Sequence, residues 1–350
     1  MIKKTAQLLC KNGEKFEGLS FGYEGPAAGE IVFSTGMVGY PEAFTDPSFA
    51  GQILVMTYPI VGNYGVPAKK SWESDKVHIA GLVVCQYIDT PSHYESVMTL
   101  SAWLKEQKVP AIEIKDTRLL TQYLRDNGSQ LGKIVVDGQR DINFYDPNTD
   151  NLVAKVSPKK IVSEGQGKKT ILMIDCGAKR NMQRCLLQRG VQVITAPWDF
   201  DPFRNASTIS FDGLIISNGP GDPKMADTTI RTIKKAMENK IPTFGVCLGN
   251  QLLALAAGGD TYKLKFGHRG QNQPCLLEGS NHCYITSQNH GFAVEEIPQG
   301  FKSWFTNVND KTNEGIIHAK YPFMSAQFHP EANPGPVDTE WLFDFFLEKV

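Results

Sequence analysis

Apolar runs are arranged in two styles along this chain. In the first part they are short and separated by turns. Residues 6–10 and 15–21 flank Asn12-Gly13 and predict a β-hairpin. Further strands are expected at 30–33, 52–57 and 78–87, the last mostly apolar and therefore central. Amphipathic stretches predict helices at 96–107 and 117–126, the second capped by Asp116 or Thr117 and followed by Gly128. The loops 34–42 and 58–65 are punctuated by glycine, which ordinary turn chemistry accounts for. Residues 1–150 thus read as a β-rich α+β domain. Residues 151–168 are polar and glycine-rich and read as a linker.

From 169 to 350 the style changes. Apolar strands at 170–175, 191–196, 213–217 and 240–244 alternate with helices at 179–189, 228–239 and 252–257. That alternation predicts an α/β domain with a doubly wound parallel sheet covered on both faces. Ligands in such sheets bind beyond the carboxyl ends of the strands. Weaker β-like runs follow at 262–266, 283–286, 315–318 and 324–327, then an aromatic-rich amphipathic helix at 339–347.

Composition adds limits. With 350 residues, 41% hydrophobic and 21% charged, the chain has material for two cores. A net charge of −1 gives no general attraction to nucleic acid or anionic membrane. The start, Met1-Ile2-Lys3-Lys4-Thr5-Ala6-Gln7, lacks the apolar core of a secretory signal, and no run is long enough to span a bilayer. The 7 cysteines are odd in number and scattered, without C-x-x-C, which points to reduced thiols in the cytoplasm rather than disulfides or a zinc knuckle. The expectation is a soluble cytoplasmic protein with no metal, nucleic acid or membrane partner.

The chemistry concentrates at Gly245-Val246-Cys247-Leu248-Gly249-Asn250-Gln251, between a predicted strand and a predicted helix. This is the thiol counterpart of the G-x-S-x-G elbow. The helix start favours the thiolate at Cys247, and the flanking glycines allow strand and helix to approach. A thiol nucleophile needs a base and the base an orienting group. His329-Pro330-Glu331 can supply both; His290 and His268 are weaker candidates that also read as loop histidines. The N–H of Leu248 and one from Gly219 or Gly221, in Asn218-Gly219-Pro220-Gly221-Asp222-Pro223, can form an oxyanion hole. Neither G-x-x-x-x-G-K-[ST] nor G-x-G-x-x-G occurs, so nothing supports a nucleotide site here.

In these motifs the chain resembles the class I (triad) glutamine amidotransferases. Over nearly its whole length it is similar to the small-subunit family of carbamoyl-phosphate synthases. The narrower likeness rests on Gly39-Tyr40-Pro41-Glu42, Gly62-Asn63-Tyr64-Gly65, Asp175-Cys176-Gly177-Ala178-Lys179-Arg180-Asn181, Phe266-Gly267-His268-Arg269-Gly270 and Gln288-Asn289-His290-Gly291-Phe292. The resemblance implies that Cys247 attacks the glutamine side-chain amide to form a γ-glutamyl thioester, with His329 as acid/base and Glu331 its partner. It implies glutamine contacts at Gly36, Gly219, Gly221, Leu248, Gln251, Asn289, Gly291 and Phe292. It also implies no cofactor in this chain. Ammonia would pass to a large partner subunit that uses ATP, Mg and bicarbonate to make carbamoyl phosphate. The sequence departs from the family at Gly36, where a serine stands in relatives, and at Asn250, commonly histidine. Other readings are a free-standing γ-glutamyl cysteine hydrolase and a glutaminase-inactive regulatory subunit.

Overall fold

A computed structural model describes residues 4–204 and 209–350, which form two units, one up to Asp150 and one from Asn151 to Val350. Residues 1–3 of the charged start lie outside the described residues.

In the first unit, β1 (Thr5–Cys10) and β2 (Lys15–Ser20) form the expected hairpin, with Gly13 at φ 102° in its turn. After β3 (Ala27–Ser34) come the short helix α1 (Tyr40–Phe44) and β4 (Gln52–Met56). The expected strand at 78–87 is divided. Only β6 (Gly81–Val84) joins the main sheet, while β7 (Gln86–Tyr87) pairs with β5 (Ile60–Val61) in a separate two-stranded ribbon. The helices are α2 (Leu100–Glu106), shorter than its amphipathic stretch, and α3 (Thr117–Asn127), which Asp116 caps through the N–H of Leu119. Besides β5, which falls in the expected loop 58–65, two strands were not foreseen: β8 (Ala111–Glu113) and β9 (Gln130–Val136). They close a barrel in the order β1-β2-β8-β6-β4-β3-β9. β8 has three residues and β9 is interrupted by Gly132, so neither shows a clear period. Pairing with strands distant in sequence holds both. Leu8, Ile31, Ile53, Val55, Val83, Ile112 and Ile134 belong to one buried cluster, and Leu54, Leu82, Phe44 and Trp103 to another.

The second unit begins inside the expected linker. Asn151 caps α4 (Leu152–Val156), whose Leu152 and Val153 are buried. Then β10 (Val162–Glu164) adds antiparallel to β12 (Gln192–Pro197). All three side chains of β10 are exposed, so the strand is held by backbone pairing that hydrophobic patterning cannot register. Residues 151–168 therefore belong to this unit's structure rather than forming a free linker.

The centre of its sheet is parallel: β12, β11 (Thr170–Asp175), β13 (Gly213–Ile216), β14 (Thr243–Val246) and β19 (Phe323–Ala326), in that order. Successive residues of β11 show why such strands are apolar throughout. Ile171 and Met173 join a cluster with Phe343 and Phe346 of α8 (Trp341–Leu347) and Leu186 of α5 (Arg180–Gln188). Leu172 and Ile174 join one on the opposite face with Ile233 of α6 (Asp227–Glu238) and Leu252 of α7 (Leu248–Ala256). Beyond β19 the sheet turns antiparallel through β18 (Asn313–His318), β17 (Phe301–Asn307), β15 (Asp260–Leu277) and β16 (Cys283–Glu296). The doubly wound parallel arrangement thus covers half of a ten-stranded mixed sheet. The expected strands at 262–266 and 283–286 are the apolar ends of a long bulged ribbon. His268 and His290 lie on that ribbon, not in loops.

Candidate active site

Cys247 stands at the junction of β14 and α7 with φ 54° and ψ −101°, a conformation that L side chains rarely adopt and that costs on the order of 1–3 kcal/mol. The glycines on either side make the junction possible. A Cβ on Gly245 would lie 2.3 Å from the Gly249 carbonyl oxygen, and one on Gly249 would lie 2.3 Å from that of Ile216. The Cys247 N–H donates to Ala326 O at 2.8 Å, and Val246 is registered opposite Ala326. β14 and β19 are parallel neighbours, so the residues that follow each strand emerge on the same edge. This brings His329 to Cys247 across more than eighty residues of chain.

The His329 N–H donates to Ser287 O, and its Nδ1 lies 2.6 Å from Glu331 Oε1. Both side chains are buried, with Glu331 at 0% exposure. Burial alone would lower the His329 pKa. The negative charge of Glu331, and then the interaction with the Cys247 sulfur, outweigh it and push the imidazole up to about 10. Burial would likewise raise Glu331, but the His329 and Lys179 charges bring it down to about 2. Nε2 of His329 makes no hydrogen bond of ordinary geometry, although it feels the Cys247 sulfur; it is buried and available for proton exchange. The arrangement can therefore take the thiol proton and hold the resulting cation against a carboxylate.

Two supports of this pair carried no individual role in the sequence. Lys179 Nζ lies 3.5 Å from Glu331 Oε1 and also donates to Ala332 O, while Asn181 Nδ2 donates to the Glu331 carbonyl. Only their place in the Asp175–Asn181 motif marked them. Gln327 was missed altogether. Its Nε2 donates to Cys247 Sγ at 3.7 Å, and Sγ in turn donates to Asn289 O at 3.7 Å.

The loop 218–223 follows β13 on the same edge. A Cβ on Gly219 would meet the Cys176 carbonyl oxygen at 2.3 Å and Leu248 Cδ2 at 2.8 Å, so this glycine lies tightly against the elbow. Gly221 takes φ 86°. Asn218 ties the loop to its neighbour, accepting from Lys179 N–H at 3.1 Å and donating to Gly177 O at 3.0 Å. Leu248 opens α7, so its N–H is one of the donors a helix leaves unsatisfied. Gln251, in the first turn of α7, donates to Phe292 O at 2.8 Å and to Gln327 Oε1 at 3.1 Å. Asn289, Gly291 and Phe292 lie along β16, and Asn289 and Phe292 reach the elbow through these contacts of Cys247 and Gln251. Gly36 belongs to the first unit, where its N–H donates to Ser34 Oγ at 3.2 Å.

Asn250, where the sequence departs from the family, is packed inside the elbow. It is 0% exposed, donating to Gln327 Oε1 at 2.9 Å and accepting from Ser325 Oγ at 2.8 Å.

A second buried polar cluster lies on the antiparallel half. His268, His290 and Glu314 each offer a metal-ligating atom, all within 4.8 Å of one another. His268 Nε2 is 2.7 Å from Asp310 Oδ2, and its Nδ1 is 3.3 Å from Glu314 Oε1 without hydrogen-bond geometry. Burial would lower the His268 pKa, but the two carboxylates push it up to about 9, so an imidazolium already offsets their charge. Burial and then the His268 charge hold His290 well below the usual histidine range.

A buried thiol on a strained elbow, a His–Glu pair and a glycine loop beside them define the class. Residues 172–349, more than half of the chain, match the family model described as glutamine amidotransferase class-I, and the chain belongs to that family. Residues 8–134 match the model of the carbamoyl-phosphate synthase small chain, CPSase domain, so both halves of the expected small-chain arrangement are present. The chain is 49% identical over 358 residues to multifunctional protein CAD of Squalus acanthias, covering 98% of this chain and 16% of that protein. It is 46% identical over 360 residues to the mitochondrial carbamoyl-phosphate synthase [ammonia] of Mus musculus, covering 99% and 24% respectively. The chain thus spans a quarter or less of the length of these curated relatives. Among the described residues, no helix is long and apolar enough to cross a membrane.

Proposed function

We propose that this chain is the glutamine-hydrolysing component of a carbamoyl-phosphate synthase. The observation that carries the reading is the strained elbow that presents Cys247 beside the buried His329–Glu331 pair. Cys247 gives its proton to His329 Nε2 and its sulfur attacks the glutamine side-chain carbonyl carbon. The N–H groups of Leu248 and the Gly219 loop stabilise the oxyanion. Collapse expels ammonia, which takes its proton from His329, and leaves a γ-glutamyl thioester. Water then adds with His329 as base, releasing glutamate and restoring the thiol. Gly221, Gln251, Asn289, Gly291 and Phe292 are the proposed contacts for glutamine.

The ammonia goes to a large synthetase subunit in a heterodimer, where ATP, Mg and bicarbonate are used to make carbamoyl phosphate for arginine or pyrimidine biosynthesis. The small-chain match over 8–134 and the names of the relatives support this assignment. The absence of a P-loop motif in the sequence agrees with ATP belonging to the partner. We place the protein in the cytoplasm, as its free cysteines suggest. The decisive assay mixes the chain with a carbamoyl-phosphate synthase large subunit and measures glutamine-dependent carbamoyl phosphate. Production that disappears with Cys247→Ala and returns with added ammonia supports the proposal. Vigorous glutamine hydrolysis that no large subunit alters, with no carbamoyl phosphate formed, would instead indicate a free-standing hydrolase.

A further inference from the structure

Gln327 and Asn250 form a buried amide chain that ends on the reacting sulfur. Asn250, Ser325 and Gln327 are each 0% exposed and Gln251 is 2% exposed, so every polar atom among them must be satisfied from within. The orientation of a carboxamide follows from its partners, and here one partner admits a single reading. Gln251 Nε2 lies 2.8 Å from Phe292 O, a backbone carbonyl that can only accept. The Gln251 NH2 end is thereby fixed, and the same nitrogen faces Gln327 at 3.1 Å. Gln327 must present its oxygen there. Asn250 repeats the constraint, because its Oδ1 accepts from the Ser325 hydroxyl at 2.8 Å and its Nδ2 donates to Gln327 Oε1 at 2.9 Å. With its oxygen held by two donors, Gln327 can only turn its N–H toward Cys247 Sγ, at 3.7 Å.

We infer that Gln327 is a catalytic hydrogen-bond donor to the Cys247 sulfur in its charged form, and that Asn250 is the positioning residue that aims it. The inference rests on the proposed nucleophilic role of Cys247. Its other partner, the Asn289 carbonyl, accepts from the thiol and has no proton to offer once the thiol proton has moved to His329. Gln327 is the partner that gains strength as charge develops, since a hydrogen bond to an ionised acceptor exceeds one to a neutral acceptor. Asn250 offers an N–H toward Gln327, as an imidazole at that position also can, which gives the departure at 250 a chemical meaning.

Gln327→Glu and Gln327→Met test this together. A glutamate keeps an oxygen for Asn250 and Gln251 but puts a carboxyl oxygen, with its charge, where the N–H faced the sulfur, whereas methionine removes the N–H without adding a charge and must show the same fall and recovery. The measurement is the iodoacetamide alkylation rate at Cys247, read by peptide mass spectrometry, at pH 7 and pH 10. The expected result is a fall of about 10-fold or more at pH 7, corresponding to about 1.4 kcal/mol, with recovery toward the wild-type rate at pH 10. A wild-type rate at both pH values, or an equal fall at both, overturns the inference. Asn250→Leu is the third variant and carries the test if the Gln327 variants do not fold. It should slow alkylation at pH 7 several-fold with the same recovery at pH 10, and an unchanged rate overturns the positioning role. Protection of wild-type Cys247 by glutamine is scored separately. Its failure would remove the glutaminase reading while leaving the comparison of variants intact.

Discussion

Replacing Glu331 by Gln should damage catalysis and stability together, for one reason. The carboxylate lies 2.6 Å from His329 Nδ1 and 3.5 Å from Lys179 Nζ, and both cations are almost wholly buried. The amide can still accept from Nδ1–H, so the ring keeps its orientation. Its charge is gone, however, and with it the largest influence holding the imidazole up to about 10. The imidazolium formed on deprotonating Cys247 is then less stable, and the loss should approach the roughly 10²–10⁴-fold that a positioned acid–base group contributes. Lys179 meanwhile is left as a buried cation. Breaking one side of a buried ion pair costs about 3–5 kcal/mol. For a unit of this size that corresponds to a melting shift of roughly 6–20 °C. Ammonia release from glutamine gives kcat and KM, and thermal unfolding gives the second quantity. The kcat should fall with KM changed much less, because the carboxylate touches His329 and not the proposed glutamine contacts. A variant with kcat within threefold of wild type and an unshifted melt would refute the electrostatic account of the pair.

Other outcomes follow from the same structure. His329 and His268 are raised by folding, to about 10 and about 9, so their stabilisation is present below the ordinary histidine value near 6.5 and is lost as pH rises through those values. Glu331, lowered to about 2, contributes above its ordinary value near 4.5 and loses that contribution as pH falls through 2. Denaturant midpoints should therefore decline from pH 6.5 to pH 10, with a shallower decline in Glu331→Gln; a flat wild-type profile would contradict the assignment. Gly249→Ala places a Cβ 2.3 Å from a backbone oxygen, so it should cost about 1–3 kcal/mol and more than 100-fold in glutaminase rate. Gly258→Ala, at φ 94° with nothing within 4 Å of its Cβ, should cost about 1 kcal/mol and leave the rate alone. Thiol reagents should modify the exposed Cys283 early. Burial pushes Cys10 up to about 11 and Cys185 up to about 12, so these should react only on unfolding, as mass-spectrometric time courses can establish.

The parts of the fold written in local pattern were legible from the chain alone. The β1–β2 hairpin follows from Asn12-Gly13, and α3 from Asp116 and its apolar face. Four of the five parallel strands follow from apolar runs that must be covered on both sides, while the fifth, β19, read only as a weaker β-like run. Cys247 was marked by two glycines and a helix start, and His329 and Glu331 by their adjacency. Less legible were elements whose stability is not their own. Exposed β10, three-residue β8 and glycine-broken β9 exist because distant strands offer backbone partners, an energy carried by no nearby side chain. The polar middles of β15 and β16 are strand for the same reason, which is why His268 and His290 looked like loop residues.

The chain by itself determined the class of protein and marked the candidate nucleophile and base, because elbow chemistry requires particular residue types at fixed spacing. Tertiary structure decided how that chemistry is electrostatically poised. The parallel register of Val246 with Ala326 brings the thiol to the imidazole, and Lys179 reaches Glu331 from another connection. Gln327 is turned toward the sulfur by amides that meet it only in the folded state. Burial is the common physical reason. It makes each of these charges and amides consequential, and it is created only when the sheet, the elbow and the loops close together.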